Sequence, residues 1–304
     1  MTLPLALTAW LAVASSAGQV QAADLTVGTG GRYATLTEAL AAAQPGDRVL
    51  VRAGTYREPT LVIRTARVTV EGEGWPVLDG QGAHEVLVIA ADDVTVRGLV
   101  VTGTGLSGLQ DRAGIRARNA RNCVIEHNRL RDNLFGIYLQ GSVDCVVRDN
   151  DVAGNGLRQS VSGNGIHLWY SPGARLERNH VRGHRDGIYF EFSSNGVSRD
   201  NVSEKMQRYG LHFMFSDSCR YEHNTFRDNL SGVAVMYSRG VVIHDNLFEH
   251  SWGSASFGLL LKDLMGGEIT DNVFSRNSIG LFVEGSSRLT CAGTVSRRTA
   301  GPPR

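Results

Sequence analysis

The sequence has few cysteines, few prolines and almost no excess charge, and each shortage excludes a class of protein. Four cysteines in 304 residues are too few for a disulfide scaffold of this length. A net charge of +1 gives no field of a single sign and argues against a nucleic-acid partner. Seven prolines beside 36 glycines indicate a backbone that turns often without being disordered.

Long hydrophobic runs are also lacking beyond the first residues. Residues 1–22, MTLPLALTAWLAVASSAGQVQA, are mostly apolar, contain no acidic residue and close on the small residues of Val20-Gln21-Ala22. These features are typical of a secretory signal peptide, although this one has no Lys or Arg at its start. No later stretch is apolar for long enough to cross a bilayer. We therefore expect a soluble mature chain that begins near Ala23, outside the cytoplasm.

The most prominent feature of the sequence is an internal repeat. The phrase Gly, apolar, any, apolar recurs as GIRA, GIYL, GIHL, GIYF, GLHF, GVAV, GLLL and GLFV, spaced mostly 22 residues apart. A second phrase, apolar, any, apolar, any, any, Asn, keeps step with the first. Its asparagines are Asn128, Asn150, Asn179, Asn201, Asn224, Asn246 and Asn272.

The repeat predicts an all-β fold. Each period holds two or three short segments that alternate apolar and polar residues, and none is long enough for an amphipathic helix. A leucine-rich repeat shares the Asn phrase, but its other half is normally a helix or an arc, whereas here it is a second strand. We predict a right-handed parallel β-helix of about 22-residue coils. Equivalent residues of successive coils would lie roughly 4.8 Å apart, with the asparagines forming an amide ladder.

The repeat also divides the chain. Residues 1–22 are the predicted signal peptide, 23–58 an N-terminal cap, 59–290 the β-helix and 291–304 a tail that leaves the pattern. Within the cap, Thr35 or Thr37 begins a short Ala-rich helix that stops at Pro45-Gly46. A helix that closes the apolar end is what a solenoid requires at its terminus.

The tail departs from the pattern just where another asparagine is due. Thr294 stands 22 residues after Asn272. With one base restored after Thr290, synonymous codons for the tail can be chosen that place Asn at position 294. We therefore predict a one-base deletion, or a sequencing error of that kind, which reading the gene tests.

The cap and the Gly/Asn coils resemble the pectin-lyase-like superfamily. The stretches GNGIHLWYSPGARLERNHVRGHRDGIYFEFSSN, GLHFMFSDSCRYEHNTFRDNLSGVAVMYS and GLLLKDLMGGEITDNVFSRNSIGLFVEGSS more closely resemble the NosD family, periplasmic maturation proteins of nitrous-oxide reductase. The resemblance implies a periplasmic, non-enzymatic factor. Such a factor would work with an ABC-type ATPase and permease and a copper chaperone to build the reductase's copper–sulfur centres.

Strand alternation predicts which side chains leave the solenoid. Residues one, three and five after each repeat glycine, such as Phe190, Phe192, Phe213 and Phe215, are expected to point inward, and residues two and four outward. The column two after Gly reads Arg116, Tyr138, His167, Tyr189, His212, Ala234, Leu260 and Phe282. The column four after Gly reads Arg118, Gln140, Trp169, Glu191, Met214, Met236, Lys262 and Glu284.

These columns predict a metal site. His212 and Met214 would face solvent, with Met236 one coil further on. Thioether and imidazole groups suit Cu(I), and thioethers keep their ligand chemistry in an oxidising compartment. We predict transient copper binding by His212, Met214 and Met236, with His167 as a further ligand. A compatible alternative is a metal-free docking face that carries the methionines with Tyr138, Trp169, Tyr189 and Glu191.

Other candidate residues are expected inside. His184 and Met206 occupy equivalent places, and we expect them to pack at a corner. Cys123, Cys145 and Cys219 should be buried. Cys123 and Cys145 are one coil apart, but parallel side chains in register disfavour the disulfide torsion, so we expect free thiols.

An enzyme is the less favoured interpretation. Related β-helices bind or cut acidic polysaccharides, and LDGQG, at 78–82, resembles a phrase of polygalacturonase-like chains. Hydrolysis requires opposed carboxyl groups, whereas the outward columns offer Glu191, with Asp186 near its coil, and no Asp pair on neighbouring coils. A carbohydrate-binding, or polysaccharide lyase- or hydrolase-like, β-helix remains the alternative. Tyr138, Trp169 and Tyr189 would be its stacking platform.

Overall fold

The computed structural model describes residues 22–155, 159 and 162–297. The predicted signal peptide, apart from Ala22, and residues 298–304 of the tail lie outside the described residues. Within the described part of the chain, no helix is long and apolar enough to cross a membrane.

The described part of the chain contains one short α-helix and 33 short strands. The first elements are β1 (Asp24–Val27), α1 (Leu36–Ala42), β2 (Arg48–Val51), β3 (Thr55–Tyr56), β4 (Leu61–Ile63), β5 (Thr69–Gly72), β6 (Val77–Asp79), β7 (Leu87–Ile89), β8 (Thr95–Arg97) and β9 (Val100–Thr102). The central elements are β10 (Ala113–Arg118), β11 (Val124–Glu126), β12 (Arg129–Arg131), β13 (Phe135–Gln140), β14 (Val146–Arg148), β15 (Asp151–Ala153), β16 (Ile166–Trp169), β17 (Arg175–Glu177), β18 (His180–Arg182), β19 (Ile188–Glu191), β20 (Val197–Arg199) and β21 (Val202–Glu204). The last elements are β22 (Tyr209–Met214), β23 (Arg220–Glu222), β24 (Thr225–Arg227), β25 (Ser231–Met236), β26 (Arg239–His244), β27 (Leu247–Glu249), β28 (Phe257–Lys262), β29 (Met265–Thr270), β30 (Val273–Ser275), β31 (Ile279–Glu284), β32 (Ser287–Ala292) and β33 (Val295–Arg297).

The strands form three parallel sheets that run the length of the solenoid. Sheet A is β1-β2-β5-β8-β11-β14-β17-β20-β23-β26-β29-β32, sheet B is β3-β6-β9-β12-β15-β18-β21-β24-β27-β30-β33 and sheet C is β4-β7-β10-β13-β16-β19-β22-β25-β28-β31. Each repeat coil gives one strand to each sheet. The Gly phrase forms the strand in sheet C, and the Asn phrase forms the strand in sheet A, with its asparagine just after that strand. The predicted right-handed parallel β-helix is confirmed.

The repeat asparagines fix the corner between sheets A and B. Asn224, which is 1% exposed, donates from Nδ2 to Asn246 Oδ1 at 3.0 Å and to the Ser198 carbonyl at 2.9 Å. Its own Oδ1 accepts from Asn201 Nδ2 at 3.0 Å. Each amide thus satisfies main-chain groups that the sharp corner leaves without ladder partners. The predicted amide ladder is present.

The cap begins as the sequence predicts. Thr35 is the N-cap of α1, and it forms a capping box with Glu38. Strands β1 and β2 on either side of this helix already pair in sheet A, and at the other end β33 pairs with β30, with Val295 opposite Val273. The boundaries of cap, solenoid and tail remain predictions.

The structure corrects the expectation for two cysteines. Cys123 and Cys145 form a disulfide, so the prediction of free thiols is wrong. Their Cα atoms lie 4.6 Å apart, which the spacing of adjacent coils imposes and which falls within the range that a disulfide spans. Cys219 is buried and free, as expected.

Candidate functional site

The candidate site lies on sheet C, where both predicted columns are in register. Tyr138 stands opposite His167, His167 opposite Tyr189, and Tyr189 opposite His212. In the second column Met214 stands opposite Met236. The repeat spacing therefore identified the neighbours on this face correctly.

The first column is covered, however, and the prediction that His212 faces solvent is wrong. His212 is 4% exposed and His167 is 7% exposed. The reason is stacking along the column. Ring centroids are 4.6 Å apart between Tyr138 and His167, 4.8 Å between His167 and Tyr189, and 4.5 Å between Tyr189 and His212. Alternation directs the rings out of the solenoid, but each ring then covers the faces of its neighbours.

Acidic and basic groups hold the imidazole of His212 from one side. Its Nδ1 lies 3.5 Å from Asp186 Oδ2 and 3.4 Å from Arg208 Nη2. Arg208 Nε also donates to Asp186 Oδ1 at 2.8 Å, and Nη2 donates to Oδ2. Burial alone would raise the pKa of Asp186, but the hydrogen bonds from Arg208 and His212 outweigh it and hold that pKa at about 2. Asp186 is therefore ionised at neutral pH.

The other ring nitrogen of His212 is buried without a partner. No described residue forms a hydrogen bond with Nε2. Arg208 can only donate, so its contact with Nδ1 would place the ring proton on Nε2. With the proton on Nδ1, the ring would instead donate to the Asp186 carboxylate and keep a lone pair on Nε2, which is the tautomer that can bind a metal there.

The two methionines are half-buried at the end of their strands. Met214 is the last residue of β22 and Met236 the last of β25. The Tyr189 hydroxyl donates to Met214 Sδ at 3.3 Å. This weak bond fixes the thioether beside the stacked rings and leaves its second lone pair available.

His167 is not brought together with the other three predicted ligands. The Tyr189 ring lies between the imidazoles of His167 and His212. His167 Nε2 instead lies 3.5 Å from Glu191 Oε2, and Nδ1 lies 3.4 Å from Asn164 Nδ2. Burial lowers the pKa of His167, which keeps its imidazole neutral. The Nε2 contact joins His167 to Glu191, a residue of the predicted docking face.

An exposed aromatic ladder lies next to the methionines, and the sequence reasoning missed it. The rings of Tyr170, Phe192, Phe215 and Tyr237 stack at centroid distances of 4.8, 5.0 and 5.2 Å and are 38–50% exposed. The inward prediction for Phe192 and Phe215 is wrong. Their φ angles of 50° and 52° are left-handed, which breaks the alternation at the end of each sheet C strand. The signal was an aromatic residue five after Gly in successive coils.

His184 and Met206 pack inside at a corner, as expected, with 1% and 4% exposure. Neither ring nitrogen of His184 forms a hydrogen bond with a described residue. Burial lowers the pKa of His184 to about 4. The histidine is thus a neutral packing residue that faces no solvent.

Comparison with solved structures first defines the class of protein. The A-module of mannuronan C-5 epimerase AlgE6 from Azotobacter vinelandii aligns with a TM-score of 0.62 at 19% identity, over 88% of this chain and 94% of that module. An alginate lyase from Paenibacillus aligns with a TM-score of 0.69 at 14% identity, over 88% of this chain and 99% of the lyase. At such identities the likeness establishes the right-handed β-helix fold alone. Residues 80–175 also match the family described as "Right handed beta helix region".

The sequence comparisons then show which family of this class the chain resembles. Residues 152–295 match the family described as "Periplasmic copper-binding protein (NosD)". The "Probable ABC transporter binding protein NosD" of Stutzerimonas stutzeri is 40% identical over 114 residues, which are 36% of this chain and 26% of that protein. The protein of the same name from Pseudomonas aeruginosa is 32% identical over 145 residues, 47% of this chain and 33% of that protein. The predicted resemblance to NosD is confirmed, and these alignments span a quarter to a third of the relatives' length.

Proposed function

We propose that this chain is a periplasmic accessory protein that binds copper transiently on sheet C and docks a partner protein through the same face. The partner in this proposal is nitrous-oxide reductase during assembly of its copper centres. A copper chaperone would supply the metal and an ABC ATPase–permease pair would act with the chain. The copper-binding description of the matching family and the naming of both relatives as binding proteins support a non-enzymatic role.

The observation that carries the proposal is the register of the two methionines. Met214 and Met236 are direct partners on adjacent parallel strands, and His212 precedes Met214 by two residues. All three side chains therefore leave the sheet on one side. Two thioethers and one imidazole form a soft donor set that favours Cu(I) over harder ions.

The surroundings of His212 fit a metal ligand. A buried nitrogen without a hydrogen bond costs about 1–3 kcal/mol, which a bound cation at Nε2 would offset. Asp186 on the other nitrogen supplies the carboxylate that often orients metal-binding imidazoles. Copper is the cargo in this proposal. The chain's own residues would bind and orient the ion before it is passed to the reductase.

The aromatic ladder supports docking at the same place. Phe192 and Phe215 each follow directly after a residue of the second column, Glu191 and Met214. Exposed rings in a continuous row are the kind of apolar surface that marks a contact site on a soluble protein. A partner seated on the ladder would lie beside the methionines.

The proposal is tested in cells that lack their own copy of this protein. We expect the parent chain to restore copper to the purified reductase and the double variant Met214→Leu, Met236→Leu to fail. Met265→Leu is the matched control, because Met265 is 47% exposed on sheet A, away from this face. Full copper loading with the double variant would contradict the proposal.

The carbohydrate-binding alternative loses its predicted platform. Tyr138 and Tyr189 are 5% and 7% exposed, so their ring faces are not available to a sugar. The exposed ladder could stack sugar rings instead. Binding of oligouronates together with no binding of Cu(I) would favour that alternative over the copper proposal.

A further inference from the structure

A second cluster of metal-ligand types lies at the corner between sheets A and B, apart from the site on sheet C. His244 ends strand β26, Asp245 follows it in the corner, and His223 lies at the same corner one coil earlier. His223 Nε2 is 3.3 Å from Asp245 Oδ2, and His244 Nε2 is 3.0 Å from the same oxygen. The three donor atoms all lie within 4.8 Å of one another.

We propose that His223, His244 and Asp245 form a surface site for a borderline divalent transition metal, of which Zn²⁺ and Cu²⁺ are examples. Zinc bonds to imidazole nitrogen and carboxylate oxygen are about 2.0–2.2 Å long, so tetrahedral ligands lie roughly 3.4 Å apart. The two nitrogen–oxygen distances are close to that value. The donors are two nitrogens and one oxygen, in contrast to the thioethers on sheet C.

The far side of each imidazole provides independent support. His244 Nδ1 lies 2.9 Å from Thr270 Oγ1 and 3.5 Å from Asp271 Oδ2. His223 Nδ1 lies 3.7 Å from Asp200 Oδ1. Each imidazole therefore has oxygen atoms at both of its nitrogens. With a cation bound between Asp245 and the two Nε2 atoms, the ring protons would stay on Nδ1, where these outer oxygens accept them and orient the histidines.

The same corner in an earlier coil shows what a purely structural pair looks like. His127 Nε2 lies 3.9 Å from Asp149 Oδ2, but Arg178 donates to both oxygens of Asp149, at 2.8 and 2.9 Å. Arg148 occupies the place equivalent to His244. Among the described residues, the ion pairs of Asp245 are with His223 and His244 and none is with an arginine. That carboxylate is therefore free to bind a cation.

The site is open to solvent. The side chains of His223, His244 and Asp245 are 50%, 35% and 44% exposed. Three protein ligands with water in the fourth position give an exchangeable site. It shares no residue with the copper proposal and does not depend on it.

Zinc titration of the whole mature chain tests the site. We expect one Zn²⁺ to bind saturably by calorimetry, and Co²⁺ to give the visible absorption bands of a four-coordinate ion. His223→Asn and His244→Thr should each weaken Zn²⁺ binding about tenfold or more and remove those bands. Asn is chosen at position 223 because it tolerates the left-handed φ of 56° there. Thr is chosen at position 244 because Thr270 is the residue that pairs with His244 on the adjacent strand.

The matched control is His127→Asn, a change at the same corner and the same left-handed φ, with a value of 52°. It should leave Zn²⁺ affinity unchanged, and so should Met214→Leu with Met236→Leu, which separates this site from the copper proposal. Circular dichroism confirms that each variant is folded. The proposal is overturned if the folded parent shows no saturable Zn²⁺ binding, or if His223→Asn and His244→Thr bind Zn²⁺ as the parent does.

Discussion

Met214 lies directly opposite Met236 in the parallel pairing of β22 with β25. Neighbouring strands are roughly 4.8 Å apart, so the two thioethers are held side by side by the sheet itself. His212 belongs to the same strand, and its stacking partner Tyr189 also donates to Met214 Sδ. The soft donors are thus placed by regular structure and not by a loop.

The amide ladder predicts a large difference between two identical substitutions. Asn224→Asp places a carboxylate among buried groups and removes the donors to Asn246 Oδ1 and the Ser198 carbonyl. We expect it to lower the free energy of unfolding by at least about 3 kcal/mol. Asn195→Asp, at an exposed left-handed position, should change it by less than about 1 kcal/mol. Urea unfolding followed by circular dichroism measures both, and equal losses would contradict a structural role of the ladder.

Asp186 and Arg208 form a second stabilising contact, behind the proposed copper site. Arg208→Ala leaves a fully buried carboxylate with fewer donors, so we expect a loss of about 3 kcal/mol in the free energy of unfolding at pH 7. Because the pKa of Asp186 is held at about 2, below its ordinary value of 3.8, the stabilisation is complete above about pH 4. It should fade as the pH falls toward 2.

A double variant provides the control for this pair. Asp186→Asn with Arg208→Ala should cost less than Arg208→Ala alone, since no buried charge is left without a partner. If the two losses simply add, Asp186 and Arg208 do not stabilise each other in this way.

His184 predicts a stability change at mildly acidic pH. Its pKa is lowered by burial from 6.5 to about 4, so the unfolded chain takes up a proton in this range and the folded chain does not. Stability is therefore complete above about pH 6.5, and the contribution lost on acidification to about pH 4 is on the order of 3 kcal/mol. The measurement is the free energy of unfolding in urea at several pH values.

His184→Asn is the matched variant, because Asn229 occupies the equivalent corner one coil beyond Met206 and donates there to the Ser203 carbonyl at 3.0 Å. The variant should remove this part of the pH dependence. A pH profile identical to that of the parent would show that His184 is not the titrating group.

The aromatic ladder predicts a loss of docking without a loss of stability. Phe192→Asn with Phe215→Asn removes two exposed rings and keeps residues that tolerate the left-handed backbone. We expect weaker co-purification with the proposed partner, nitrous-oxide reductase, and an unfolding free energy within about 1 kcal/mol of the parent. Leu109→Asn, at a side chain 98% exposed in another part of the chain, is the control. Unchanged co-purification of the double variant would exclude the ladder as the docking surface.

The periodic features of the fold could be predicted from sequence, because a parallel solenoid turns spacing directly into contact. The 22-residue period placed Met214 beside Met236 and Tyr189 beside His212, and both pairs are in register. Burial of His212 could not be predicted in the same way. It depends on how neighbouring rings stack and on a salt bridge between Asp186 and Arg208, which lie in different coils.

Other predictions from the sequence were wrong at residues whose backbone is not in the extended strand conformation. Alternation assumes extended residues, and Phe215 has a left-handed φ that turns its ring outward. The corner cluster is a further case, because Asp245 is also left-handed and its two histidines come from different columns. Those positions can be assigned only once the corner geometry is known.

Anaerobic titration of the mature chain with Cu(I), in competition with a coloured chelator, tests the proposed copper site most directly. The site predicts that the parent binds one Cu(I), that Met265→Leu binds it equally well, and that Met214→Leu with Met236→Leu binds it at least about tenfold more weakly. X-ray absorption at the copper edge should show sulfur and nitrogen neighbours in the parent and lose the sulfur in the double variant. Equal Cu(I) affinity of the folded parent and the folded double variant would contradict the site.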